Sequence, residues 1–349
     1  MLMHWIKKTK KKIILKKKRN IFLIILAFIV STFFAIILTN YYINKKQKEL
    51  LNSIYESTHK NIFEKTQNLI NDKQNTSLAI AISLSKDETL YTHLKNKDFE
   101  KLNYIKIAKL IETNSKYKNI WIQIFDSNLN SVYRSWTNIR GSLNFRPDLK
   151  KIEALKNIST SISAGLFNIG IRARTPIFDE NNNFYGALEV VTHFDSITED
   201  LVKNNISPVV IGDKSIRKNL TNPLLSKLFI DDYYIANENV DMNLYKYIKE
   251  NGVEKYINID NFIVENGYLI SKYPLFDENG NNLAYIINFM ELKSINLENI
   301  KHIKIQTTLG TVIALIIIFT AILVYYLRDI KYQNSKNKIL LNSQPNIVI

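Results

Sequence analysis

Arg172 and Arg174 alternate along the apolar run IGIRARTPIF, and Glu189 interrupts a second apolar run, FYGALEVVT, fifteen residues after Arg174. Strand alternation places both arginines on one face, opposite Ile171, Ala173 and Thr175, and places Glu189 with Ala187, Val191 and His193. Paired as a hairpin, the two runs bring guanidinium and carboxylate together. Guanidinium forks hold carboxylates in bidentate fashion, so one reading is a pocket for a small anion. The other is an Arg–Glu network that fixes strand register and binds nothing.

Little else in the chain offers chemistry. Five histidines (His4, His59, His93, His193 and His302) are scattered and cysteine is absent, so no metal centre is expected. His193 reads as an ordinary strand residue. Gly165 and Gly170 have the spacing of a phosphate loop but lack the Lys-Ser/Thr that would hold phosphate and Mg²⁺. No Gly-x-Ser-x-Gly elbow occurs. The expectation is no catalytic residue, no metal and no cofactor: the chain is not an enzyme.

The charges locate a membrane. The 349-residue chain carries a formal charge of +15. Residues 1–19 hold nine Lys/Arg and no acid, and the tail from Arg328 adds three more net charges. The ends therefore supply twelve of the fifteen, and a nearly neutral body disfavours nucleic acid as partner. Between them lie two uncharged apolar runs, 20–44 and 305–327, each longer than the roughly 20 residues that cross a hydrocarbon core. Tyr41, Tyr42, Tyr325 and Tyr326 stand at run ends, where amphipathic rings favour the interface. The first run is too long for a signal peptide and has no small-x-small cleavage site. Basic flanks prefer the cytoplasm, so both termini are expected inside the inner membrane and residues 45–304 outside it. Without cysteine, packing alone must hold the outer part.

From 45 to about 85 the apolar residues Leu51, Tyr55, Ile62 and Leu69, with Leu50, Ile54, Phe63 and Ile70, follow helical spacing. Such a helix could pair with its own copy, giving a homodimer, or pack on its own domain. Helices are also expected over 87–96, 98–113 and 242–251. Strands are expected over 120–125, 131–137, 159–163, 168–178 and 184–194, then over 208–211, 232–236, 267–274 and 283–290. The stretch PIFDENNNFYGALEVV at 176–191 returns ninety-eight residues later as PLFDENGNNLAYIINF. The second copy carries Lys272, Ile270 and Ile287 where the first has Arg174, Arg172 and Glu189. Its apolar replacements suit packing and coupling to the second membrane run.

The stretches IWIQIFDSNLNSVYRSW, GSLNFRPDL and GIRARTPIFDENNNFYGALEV resemble the membrane-distal unit of the double Cache sensory domains of bacterial receptors, histidine kinases and diguanylate cyclases among them. The resemblance covers about 45–300. It implies an α+β fold: two transmembrane helices flanking a long helix and two tandem PAS-like antiparallel-sheet modules. The implied division is a basic tail (1–19), a first span (20–44), a helical lead-in (45–117), a membrane-distal module (118–204), a membrane-proximal module (205–304), a second span (305–327) and a stub (328–349).

The resemblance also implies that Arg134, Trp136 and Arg146 wall the same pocket as Arg172, Arg174 and Glu189. Arg134-x-Trp136 resembles the arginine–tryptophan pair of amino-acid-binding members. Thr137, however, stands where those carry an aromatic, and the strand 186–191 lacks the aspartate that takes the amino group. Amino-acid specificity is therefore not expected. The expected function is a sensor of a small extracytoplasmic ligand, a carboxylate for example, that passes a helix shift inward. The end of the chain, NKILLNSQPNIVI, resembles the start of a cytoplasmic PAS domain. That similarity suggests the sensory half of a truncated histidine kinase or diguanylate cyclase. The alternatives are an output-free sensor and a structural two-span protein such as a polysaccharide co-polymerase.

Overall fold

No glycine or proline occurs before Gly141, and a single helix, α1 (Leu2–Ser85), runs through the uninterrupted N-terminal sequence. The structure, a computed structural model, describes residues 2–142, 146–155 and 157–342. Leu143–Phe145 of the GSLNFRPDL stretch and the last seven residues of the PAS-like tail lie outside the described residues. The chain divides into two units, Met1–Ile54 with Asn296–Ile349 and Tyr55–Ile295.

In the second unit α1 buries Ile62 and Ile70, with Tyr55 and Leu69 packed against the same core. This part of the helical stripe packs on its own domain. α2 (Glu88–Asn96) follows, its Asp87 cap accepting from Thr89 N. The helix expected over 98–113 is divided into a 3₁₀ turn (Phe99–Lys101) and α3 (Ile105–Asn114). Between them Tyr104 N donates to the Tyr133 hydroxyl at 2.7 Å, so this amide bonds outside the helix.

The first sheet comprises β1 (Trp121–Asp126), β2 (Asn130–Arg134), β3 (Gly141–Ser142), then α4 (Pro147–Leu155), β4 (Ser159–Ala164), β5 (Ile169–Phe178) and β6 (Phe184–Thr192). Its order is β3-β2-β1-β6-β5-β4, antiparallel throughout. Five strands were expected here. The sixth, β3, has two residues, too few to show alternation.

α5 (Asp195–Val202) leads to β7 (Ile206–Gly212), β8 (Phe229–Ile230), β9 (Tyr233–Ile235), α6 (Met242–Asn251), α7 (Val253–Ile257), β10 (Phe262–Glu265), β11 (Tyr268–Phe276) and β12 (Asn282–Glu291). The second sheet runs β10-β11-β12-β7-β9-β8. It has two strands beyond the expected four, and both lie at its edges.

The repeated stretch is one hairpin built twice. Arg174 pairs with Glu189, and ninety-eight residues on Lys272 pairs with Ile287. Each hairpin shifts register at the same place, Ile177/Phe178 and Leu275/Phe276. Asp179 folds the first turn by accepting from Asn181 N and Asn183 N, as Asp277 does from Asn279 N and Asn281 N. The left-handed position is Asn182 (φ 66°) in one and Gly280 (φ 82°) in the other, the two residue types that adopt it at least cost.

The back of the first sheet (Ile120, Ile122, Ile124, Ala173, Leu188, Val190) packs with Ala81 of α1, Leu90 and Leu94 of α2 and Ala108 of α3. A second core joins Ile169 and Ile171 of β5 and Phe194 to Val210 of β7 and Ile286 of β12. Both sheets therefore share packing. α8 (Glu298–Asn342) closes the described chain.

In the first unit α1 and α8 meet through Phe28 and Phe319, centroids 5.3 Å apart, and through the Thr39 and Thr311 hydroxyls at 3.1 Å. Both helices are long and apolar enough to cross a membrane, with mean hydropathy of 2.8 and 2.5 in their most apolar windows. The protein is α+β. One long helix is followed by two tandem antiparallel sheets, each containing the same hairpin.

A polar seam fastens α1 to the rest of its unit. At steps of seven, seven and four residues, His59 meets Ser271 (2.7 Å), Thr66 meets Asn288 (3.3 Å), Lys73 meets Ser196 (2.6 Å) and Ser77 meets Thr192 (2.9 Å). Lys73 is buried, its ammonium 3.9 Å from the centre of the Tyr117 ring. Burial and nearby Lys116 pull its pKa down to about 7, with Asp195, Asp200 and Glu199 opposing. The unfolded chain releases this proton near ~10.4, so between the two values it binds more protons than the folded chain. Stability contributed by this group therefore rises with pH across that window. Lys73→Met should flatten the rise in melting temperature between pH 7 and about 10 and raise stability most at the acid end. An undiminished rise in the variant, followed by circular dichroism, would show that Lys73 is not its source.

Candidate ligand-binding site

The front of the first sheet carries two polar and aromatic rows set by strand register. One runs Arg134, Gln123, Glu189, Arg174, Ser159 across β2, β1, β6, β5 and β4. The next runs Trp121, Val191, Arg172, Ser161. Helix α4 covers one end of this face, with Leu149 and Ile152 on Phe125 and Ala187. The β4–β5 turn covers the other, where Phe167 packs with Trp121 and Val191.

Three guanidinium groups here surround two carboxylates. Arg146 donates to both oxygens of Glu189 (3.0 and 2.6 Å) and both of Asp148 (3.1 and 2.6 Å). Arg174 donates through Nε to Glu189 at 2.8 Å and through Nη2 to Asp148 and Ser161. Arg172 donates to Glu189 Oε1 and Asn168 Oδ1, both at 3.2 Å. All five charged groups are buried, Arg174 and Glu189 at 0% exposure. Three cations against two anions leave one excess positive charge in a low-dielectric place.

Burial alone would raise both carboxyl pKa values, but the arginines outweigh it. Arg146, Arg172 and Arg174 bring Glu189 down to about 2, and Arg146 and Arg174 hold Asp148 further below the carboxylate range. Burial, reinforced by Arg146, lowers Arg172 to about 10. Among the described residues the cluster leaves Arg172 Nε, Arg174 Nη1 and Asn168 Nδ2 without an acceptor.

Beside it stands an aromatic wall. Trp121 and Trp136 stack with centroids 4.5 Å apart and planes 11° apart, and Phe167 meets Trp136 edge-on at 6.1 Å. Among the described residues Trp136 Nε1 is buried without an acceptor. Arg134 donates to Ile139 O and lies over Phe167, its guanidinium carbon 5.4 Å from the ring centre. With its amide oxygen turned toward Arg134, Gln123 accepts from Arg134 Nε at 3.1 Å. His193, expected in a strand, lies one residue past the end of β6; it bonds Asn119 O through Nδ1, and burial lowers its pKa to about 3, so it is neutral.

Between cluster and wall lies a space of about 10 Å³ lined by Gln123, Arg134, Trp136, Arg146, Phe167 and Arg172 among others. That is close to the room one water needs. Of the six candidates, Arg134, Trp136, Arg146 and Arg172 border it, while Arg174 and Glu189 reach only into the ion cluster.

Sequence reasoning missed Asp148, Asn168 and Gln123. An excess of arginines over Glu189 called for another carboxylate, and Asp148 two residues after Arg146 was the nearby signal. The Gly165–Gly170 spacing also has a structural origin. A Cβ at Gly165 would lie 2.8 Å from Arg172 Nη2, so glycine there lets the turn pass over this guanidinium without displacing it.

No family model matches the chain, and no characterised protein matches it in sequence. Solved structures are similar to it. The sensor domain of the V. cholerae histidine kinase DctB has 13% identity over 70% of this chain and 98% of its own, with a TM-score of 0.41. A domain of a sensory box/GGDEF family protein from Vibrio parahaemolyticus has 15% identity over 69% and 99%, TM-score 0.42. The ligand-binding domain of the Campylobacter jejuni chemoreceptor Tlp3, solved with 4-methylisoleucine, has 17% identity over 70% and 95%, TM-score 0.37.

Removing one partner of a buried ion pair strands the others. Glu189→Gln should cost about 3–5 kcal/mol in denaturant unfolding. A midpoint equal to that of the parent chain would show that the cluster does not hold the sheet.

Proposed function

We propose that the chain is a membrane sensor whose first sheet binds a small extracytoplasmic carboxylate that carries no amino group. The supporting observation is the imbalance of the buried site. It holds four buried arginines, Arg134 among them, against two carboxylates, and among the described residues it has unpaired donors on Arg172, Asn168 and Trp136, all three bordering the same space. An incoming carboxylate supplies acceptors and offsets part of the excess positive charge. An ammonium group has no equivalent place, because every oxygen of Glu189 and Asp148 already accepts from arginine. Trp121, Trp136 and Phe167 suit a short apolar body attached to the carboxylate.

In this reading Arg134, Trp136, Arg146 and Arg172 face the ligand, while Arg174 and Glu189 position them. The membrane-distal module is 118–204 and the plain module 205–304 couples it to the membrane. The basic ends lie in the cytoplasm, following the bias of Lys and Arg toward that side. Two copies pair, and binding shifts α1 by about an ångström, the usual scale of such switches. An output of the histidine-kinase or diguanylate-cyclase kind follows from the family resemblance.

The test is a thermal-shift titration of the full chain in nanodiscs with acetate, propionate and succinate, and with ethylamine as control. At least one carboxylate should raise the melting temperature with single-site saturation. Trp136→Phe, which keeps an aromatic ring and removes the donor, should weaken binding about 10-fold or more, the worth of one hydrogen bond to a charged group. Stabilisation by the amine alone, or an unchanged carboxylate response in Trp136→Phe and Arg172→Lys, would overturn the reading.

A further inference from the structure

The space beside the ion cluster is too small for a carboxylate, so the walls must part, and the geometry indicates where. Arg146 borders both this space and a larger cleft of about 440 Å³. One side of the cleft is Asp148 with Ile162–Ala164 from the first sheet. The other is Ser215–Asn219 and the second hairpin turn, Asp277–Leu283.

Helix α4 carries Asp148 near its start, two residues after Arg146, and Lys151 one turn on. Across the cleft Lys151 Nζ meets Glu278 Oε1 at 3.1 Å and Asn279 Oδ1 at 3.3 Å. The helix that brings Arg146 and Asp148 to the site is thus tied by its next turn to the second sheet's hairpin.

We propose that the cleft is the entrance to the buried site, that α4 is its lid, and that Lys151 latches the lid to the tip of the second hairpin. This rests on the reading of the first sheet as an anion site. Glu278 is the counterpart of Glu180, ninety-eight residues earlier. The same Asp-capped turn presents a glutamate in both copies. In the first, Glu180 is exposed on an outer groove. In the second, Glu278 is only 18% exposed and bonded to the lid. The hairpin with isoleucine in place of Arg172 and Glu189 thereby uses the charge at its tip.

Lys151 remains 47% exposed, so the latch is screened by salt and opens readily, as a gate must. Opening it moves α4 away from the β11–β12 hairpin. Filling of the site and the position of the second sheet are then linked through one contact.

The chain has three tryptophans, Trp5, Trp121 and Trp136, and the last two are the aromatic wall. In the full chain in nanodiscs, with Trp5→Phe as background, acrylamide quenching reports access to that wall without any ligand. Lys151→Glu should raise the quenching constant at least 2-fold, and Glu278→Gln should raise it less. The reversed pair Lys151→Glu/Glu278→Lys should restore it. Sodium chloride at 0.5 M should raise quenching in the Trp5→Phe background and leave Lys151→Glu unchanged. Unchanged quenching in a folded Lys151→Glu protein, or failure of the reversed pair to restore it, would overturn the latch. If quenching follows the expected pattern while no carboxylate shifts the melting temperature, the lid stands and the anion reading falls.

Discussion

Arg146, Arg172 and Arg174 close around Glu189 and Asp148 where little solvent reaches, and most of the first sheet's front is arranged to keep them there. Taking five charges out of water is expensive, and their attraction offsets the cost only when nearly every oxygen is bonded. That requirement fixes neighbouring structure. β5 and β6 must pair with Arg174 opposite Glu189. α4 must begin beside Arg146 so that Asp148 reaches Arg174. The β4–β5 turn carries glycine at 165, where a Cβ would crowd the Arg172 guanidinium beneath it. Each carboxylate oxygen already accepts from an arginine while donors remain free among the described residues, and the proposed preference for an anion rests on this asymmetry.

The repeated hairpin shows the same backbone put to two uses. Turn capping, bulge and register recur ninety-eight residues apart, because Asp at the turn and alternating apolar residues in the strands specify them without reference to charge. What differs lies on the strand faces. In the first copy the front face meets other charges. In the second, Ile270, Ile287 and Phe289 enter an apolar core, and Lys272 reaches only Ile257 O. One copy therefore organises a polar site and the other a packed joint.

Much of this was legible in the residues. Two uncharged runs of twenty or more residues marked the two helices long and apolar enough to cross a membrane, and helical spacing from 45 to 85 marked the long helix, since each pattern extends over many turns. Alternation put Arg172, Arg174 and Glu189 on matching faces, and the structure pairs them. Shorter patterns were less informative. β3 and β8 have two residues each, and β10 is a four-residue edge strand. The split before α3 depends on a hydroxyl twenty-nine residues away. Asp148, Asn168 and Gln123 were hidden for a related reason: their roles come from packing between distant segments, and no local spacing marks them.

The most direct measurement is of the unpaired donor at the centre of the account. In ¹⁵N-labelled full chain, the Trp136 indole N–H resonance can be followed while acetate, propionate and succinate are titrated in turn. A downfield shift that saturates with one of them, as the buried donor gains an acceptor, is the expected result. A resonance that no carboxylate moves, or that moves only when an amine is added, would contradict the assignment of this site to an anion.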